Sequence, residues 1–170
     1  MGSEMCIRDR LKVERQDELT AFAEEVHQRT LREKNLIIVG VKESDGSVET
    51  RKKEDAKFCK VLFASIAPNV NFEGAIGIGK IRHDRERPLR VPLRTSEEKF
   101  RILRSCKDLR HHPEYRSVFI NPDRAPLEQE AHKRIQEELK SRRENGEDDL
   151  VLYKRKILSR KNIKNFQRRF

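Results

Sequence analysis

No stretch of about 18 consecutive apolar residues, the length a membrane-crossing helix needs, occurs in this chain. No apolar core follows its start either, so a secretory leader is not expected. Cysteine is scarce. Cys6, Cys59 and Cys106 are odd in number and widely spaced, which fits reduced intracellular thiols rather than a disulfide framework. His27, His83, His111, His112 and His132 stand at no metal-ligand spacing from any cysteine, so no metal is expected. No Ser/His/Asp or paired-carboxylate arrangement can be read from the order of residues. GAIGIGK, residues 74–80, matches most of a phosphate-binding loop, but Ile81 stands where a Ser/Thr must hold Mg²⁺. A strand pattern also continues through it where a helix should open. Catalysis and a bound cofactor are therefore not expected. Cys59 and Cys106 fall on apolar helix faces and read as small core residues.

What the chain has is charge, and it is unevenly placed. The net charge is +10 over 170 residues. Residues 80–116 carry 12 Lys/Arg against 6 Asp/Glu, and residues 154–170 carry 8 against none, while the rest is slightly acidic. Localised positive charge is the electrostatic footprint of a nucleic-acid binder. The sharpest feature lies in the first patch, in PLRVPLR, residues 88–94. Leu89, Val91 and Leu93 alternate with Arg90 and Arg94, so a strand here has one apolar and one cationic face.

The remaining patterns give an order of elements. MGSEMCIRDR resembles a translated sequencing-adapter scar, so residues 1–10 are set aside as non-native, Cys6 with them, and the native N-terminus is left open. Residues 11–34 read as a helix with Leu19, Phe22 and Val26 at coiled-coil spacing, either a coiled-coil remnant or a helix packing on its own domain. NLIIVGV, residues 35–41, reads as a strand. A polar loop over 44–52 leads to a helix from Glu54 to Ala67 with Cys59, Leu62, Phe63 and Ile66 on one face. Strands follow at 75–83, with Gly77 and Gly79 permitting a bulge or a close backbone approach, and at 88–94. Thr95 and Glu98 form a capping box for a helix over 96–110, with Phe100, Ile102, Leu103, Cys106 and Leu109 as its apolar face. Val118, Phe119 and Ile120 make a fourth strand. Pro126 opens a helix to about Arg143 along Leu127, Ala131, Ile135 and Leu139, with Gly146 as its stop. Leu150–Tyr153 and Lys156–Leu158 pair as a hairpin, and KNIKNFQRRF reads as a disordered basic tail. The fold class is α+β, with a ferredoxin-like βαββαβ sheet carrying helices on one face, a helix before it and a small helix-plus-hairpin domain after it. No repeat occurs at a fixed period.

A sheet of that kind in RNA-recognition domains stacks bases on aromatics of its two central strands. Here the first strand offers Ile38 and the third Arg90, and residues 86–94 contain no Phe or Tyr. Contacts dominated by the phosphate backbone, sensitive to salt and weakly selective, are expected instead. Pro92 is awkward in a central strand because it cannot donate to a ladder, so it faces a bulge or the strand order differs.

NLIIVGVKES, then IGKIRHDRERPLRVPLRTSEEKFRILRSCKDLR, then VFINPDRAPLEQEAHKRIQEELKSRRENGEDDLVLYKRKIL resembles, over about residues 31–158, the RNA-binding region of first open-reading-frame proteins of non-LTR retrotransposons. That resemblance implies a coiled coil, an RRM-like domain (35–124) and a small C-terminal domain (125–158), followed here by a basic tail (159–170). It implies non-catalytic binding of single-stranded RNA or DNA, nucleic-acid chaperone character, and an intracellular ribonucleoprotein in the cytoplasm or nucleus. The family trimerises through its coiled coil, of which residues 11–34 retain a stub for self-association. Zinc modules that some relatives carry upstream are absent here. By position, the stretch from Lys80 to Arg94 matches the RNA-contacting segment, with Arg82, Arg85, Arg87, Arg90 and Arg94 as its cations. Arg142 and Arg143 match the basic helix end, and Lys154, Arg155 and Lys156 add a third group, expected to close on the same strand across a cleft. The rival expectation is a protein–protein module that uses the first helix and the open sheet.

Overall fold

Leu36 and Ile38 are fully buried while Asn35, Ile37 and Val39 between them are only half-buried, so strand β1 (Asn35–Val39) has one face in the core and one outside. The computed structural model describes residues 7–81 and 85–167, with side chains over 15–81 and 85–163. Strands β2 (Ile76–Gly77), β3 (Leu89–Pro92) and β4 (Phe119–Pro122) complete a four-stranded sheet in the order β2-β3-β1-β4, every neighbouring pair antiparallel. Helices α2 (Val48–Ile66) and α3 (Ser96–Ser105) supply the other half of the core. Cys59, Leu62, Phe63 and Ile66 of α2 and Ile102 of α3 pack with Leu36, Ile38, Leu89, Val91 and Leu93. Burying each such side chain is worth about 1.5–3 kcal/mol. Phe63 meets Phe72 edge-on at 5.5 Å, and Phe58 meets Tyr115 at 6.0 Å.

Local chemistry moves several expected boundaries. Helix α2 starts at Val48 rather than Glu54, because the Ser47 hydroxyl accepts the Thr50 N–H at 3.2 Å and caps it. Thr95 and Glu98 form the expected capping box of α3, but the helix tightens into 3₁₀ turns from Cys106 onward. Phe100 is 58% exposed, against expectation. Its place inward is taken by Lys99, whose ammonium donates to the Glu33 carbonyl at 2.6 Å and so ties α3 to the chain leaving α1 (Ile7–Arg32). The strand expected over 75–83 is only Ile76–Gly77. Ile78 N–H donates to Pro88 O at 2.7 Å and Gly79 adopts a φ of +89°, which turns the chain away. Helix α1 begins at Ile7, inside the segment set aside as a scar.

Pro92 is accommodated by a bulge. Its carbonyl accepts the Glu73 N–H at 3.1 Å, and in an antiparallel strand a residue's N–H and C=O point to the same side. The missing N–H thus faces β2, and the ladder to β1 continues through Leu93 N–H to Lys34 O at 3.2 Å. On the β2 side Phe72 pairs with Leu93 and Ile76 with Arg90, which sets three intervening residues against two. The extra residue lies over Glu73–Ala75, not at Gly77 or Gly79 as expected.

The chain divides into two units, one of Val26–Asp123 and one of the residues from Arg124 onward together with α1 as far as Glu25. In the latter, α4 (Pro126–Glu144) ends where Gly146 takes a φ of +95° and its N–H meets Arg143 O at 3.0 Å. The buried side of α4 follows His132, Ile135 and Leu139, whereas Ala131 and Leu127 of the expected stripe are exposed. Strands β5 (Leu150–Tyr153) and β6 (Lys156–Ser159) form the expected hairpin. The tail is a helix, α5 (Arg160–Gln167), begun by Ser159 Oγ accepting Lys161 N–H at 3.2 Å, where disorder was expected.

Candidate nucleic-acid interface

The sheet face turned away from α2 and α3 is built by alternation. Register sets Ile76, Arg90, Ile37 and Asn121 in one row across four strands, with the pairs Val39–Phe119 and Asn35–Pro92 on either side. Residue 38 does not belong to it. Ile38 lies in the core at 0% exposure, and Ile37 occupies the outward position opposite Arg90. Asn35, polar at the head of the strand, carries the signal that the odd-numbered residues face outward. The sequence reading also passed over Phe119, which is 61% exposed on β4. An unbroken apolar triplet, Val118-Phe119-Ile120, hides its own phase, and the polar Asn121 two residues on marks the outward side.

The expected cations divide into free and committed groups. Lys80, Arg85 and Arg94 are exposed and make no ion pair among the described residues, while Arg82 lies outside them. Arg90 is committed in part. Its Nε sits 3.1 Å from Asp123 Oδ2, a charge contact without hydrogen-bond alignment. The nearly buried Asp123 also receives Arg32 at 3.3 Å and the Asn35 amide at 3.2 Å. Arg87 is committed fully. Its guanidinium grips both oxygens of Glu43, one of them at 3.0 Å, and lies over Gly77, where a Cβ would come within 2.7 Å of it. The close approach expected at Gly77 is thus made by a side chain. Hydrogen bonding to Arg87 holds the Glu43 carboxyl below its ordinary value, and burial pushes the neighbouring Asp55 carboxyl up, helped by the charge of Glu43.

In the other unit, Arg142 forks onto Glu147 at 2.9 and 2.7 Å, and Arg143 donates to Leu150 O at 3.1 and 2.6 Å. Arg142 fastens the helix end to the turn that follows it, and Arg143 fastens it to the first residue of β5. Lys154, Arg155 and Lys156 crown the hairpin and are exposed. Lys154 lies over the Tyr153 ring at 5.6 Å, and Arg155 pairs with Glu128. Beside them, burial lowers the basicity of Arg124, and burial together with Arg124 lowers that of His132.

The loop GAIGIGK passes through β2 and on toward β3 rather than into a helix N-terminus. Burial pushes the Cys59 thiol up to about 12 and the Cys106 thiol up to about 11, which keeps both protonated and poorly nucleophilic. No group of His, Cys, Asp and Glu arranged to hold a metal occurs among the described residues, and no helix among them is long and apolar enough to cross a membrane. No protein-family model matches the chain, and no curated protein matches it.

Proposed function

We propose that this chain binds single-stranded RNA, without catalysis, on an RRM-like, ferredoxin-type sheet. The observation that carries the reading is the uncovered sheet face, where Arg90 stands among Ile37, Ile76 and Asn121 with Phe119 exposed at the edge. The strand order and the placement of α2 and α3 support the fold assignment. Lys80, Arg85 and Arg94 take the phosphates and Phe119 offers a ring to a base. The resemblance to first open-reading-frame proteins of non-LTR retrotransposons extends this to an intracellular ribonucleoprotein with chaperone character, single-stranded DNA serving as an alternative ligand.

The test is a salt titration of labelled oligouridylate binding. Removing one cation–phosphate pair lowers the log–log salt slope by about 0.7. Replacing Lys80, Arg85 and Arg94 together by Gln is expected to lower it by about 2, with Arg90 spared because Asp123 needs it. Phe119→Ala is expected to cost about 1–3 kcal/mol of binding. An unchanged slope with unchanged affinity for Phe119→Ala sinks the reading.

A second reading rests on a separate observation. Leu19 and Phe22 of α1 are 58% and 68% exposed, and Val26 is exposed with them, an apolar stripe that suits self-association or a protein partner.

A further inference from the structure

Helices α2 and α4, equal in length, treat their surface charges differently. On α4 four of the five Lys/Arg side chains pair with a carboxylate at i,i+4 spacing, Lys133–Glu137, Arg134–Glu130, Lys140–Glu144 and Arg142–Glu138, while the fifth, the exposed Arg143, donates to Leu150 O. On α2, Lys53, Lys57 and Lys60 are exposed and none has a carboxylate at ion-pair distance among the described residues. At 3.6 residues per turn the three fall within an arc of about 60°. That arc lies opposite the side that buries Cys59, Leu62, Phe63 and Ile66. Like charges at this spacing repel; Glu49 and Glu54 lie on the same helix, but neither stands at ion-pair distance from these lysines. On α3, Arg101 and Arg104 are also exposed, and their described hydrogen bonds go only to the backbone, to Asn69 O at 3.2 Å and Phe100 O at 3.3 Å. These cations sit on the helical layer, with the sheet between them and the face that carries Arg90.

We propose that the outer surface of α2 and α3 is a second polyanion site, which takes the phosphate backbone of a nucleic-acid segment other than the one on the sheet. Five cations, none at ion-pair distance from a described carboxylate, present the charge complementarity such a backbone requires. Lysine and arginine side chains directed at phosphates position a backbone and carry no sequence information, so the surface reads charge and not sequence. A segment lying on the sheet face has the full thickness of the helix layer between it and these lysines. One chain therefore engages two segments on opposite sides. The site rests on its own cations, and its test separates it from the sheet reading.

The experiment compares chains by the salt dependence of labelled oligouridylate binding: the wild type, a helix variant (K53Q/K57Q/K60Q), the sheet variant (K80Q/R85Q/R94Q), their combination, and a control (K133Q/K140Q) on the charge-paired helix. All changed side chains are exposed, so the fold is retained, and circular dichroism verifies it. The helix variant is expected to lower the slope by about 2, with or without the sheet changes, and the control to leave it alone. A slope unchanged in the helix variant but lowered in the sheet variant overturns the second site and keeps the sheet. The reverse keeps the second site and overturns the sheet. A control that falls as far as the helix variant also overturns the second site, since bulk charge then explains the effect.

Discussion

Gly77, Arg87 and Glu43 form one mechanical unit, though they are far apart in the chain. The guanidinium reaches both oxygens of Glu43 because position 77 has no Cβ to hold it off. Glu43→Gln is expected to cost about 1–2 kcal/mol at neutral pH, the range of a charge-assisted bond that is not fully buried. The folded carboxyl titrates below its ordinary 4.5, so the stabilisation is present above that value and is lost as pH falls through the folded one. Urea unfolding of wild type and variant should therefore show a constant gap near neutrality that closes in acid. Gly77→Ala displaces Arg87 and removes the same contact. The two changes combined should then fall short of their sum, and an additive double-mutant cycle would refute the coupling. None of this was legible from the residues in order, where Arg87 counts as one more cation of a basic stretch.

At the scale of elements, the hairpin β5–β6 turns in two residues, Lys154 at a φ of +45° and Arg155 at +64°. Both values belong to the left-handed region, where Asn-Gly is the favoured pair and long side chains are strained. Replacing Lys154-Arg155 by Asn-Gly is expected to raise stability by about 1 kcal/mol in thermal unfolding. If the hairpin tip contacts phosphate, the same change lowers the salt slope of RNA binding by about 1, so stability and binding move in opposite directions. Gly40 is the contrasting position. At a φ of +80° an added Cβ would lie 1.8 Å from Ser117 O, and Gly40→Ala is expected to cost about 2–4 kcal/mol because a backbone atom cannot step aside. Helix caps were readable where their residues are diagnostic, as at Thr95 and Glu98. They were missed at Ser47, whose cap lies inside a run that looks like loop.

For the whole molecule, positive charge is gathered at three places: the stretch around β3, the hairpin with α5, and the outer lysines of α2. The third escapes a segment-by-segment count, since acids elsewhere in residues 1–79 balance it. The apolar stripe of α1 is the other large-scale feature. If it serves self-association, the wild type sediments above the 20.2 kDa of one chain, and Leu19→Lys with Phe22→Lys returns it to that mass while leaving the salt slope of each chain intact. A wild type that already sediments as one chain removes that reading.

By itself the sequence determined the alternating strand over 88–94, the apolar face of α2, the capping box of α3, the hairpin and the α+β class. Each follows from periods of two or 3.6 residues and from caps that act within a turn, so neighbours along the chain suffice to specify them. Only the tertiary structure decided which arginines are free to meet a ligand. Asp123 and Glu43 are brought to Arg90 and Arg87 by strand pairing and loop closure across 33 and 44 positions, and no local period encodes such a meeting. The phase of β1 is intermediate: Asn35 marks the outward parity locally, but with Leu36, Ile37, Ile38 and Val39 apolar at both parities it is the helices covering one side that make that side the core.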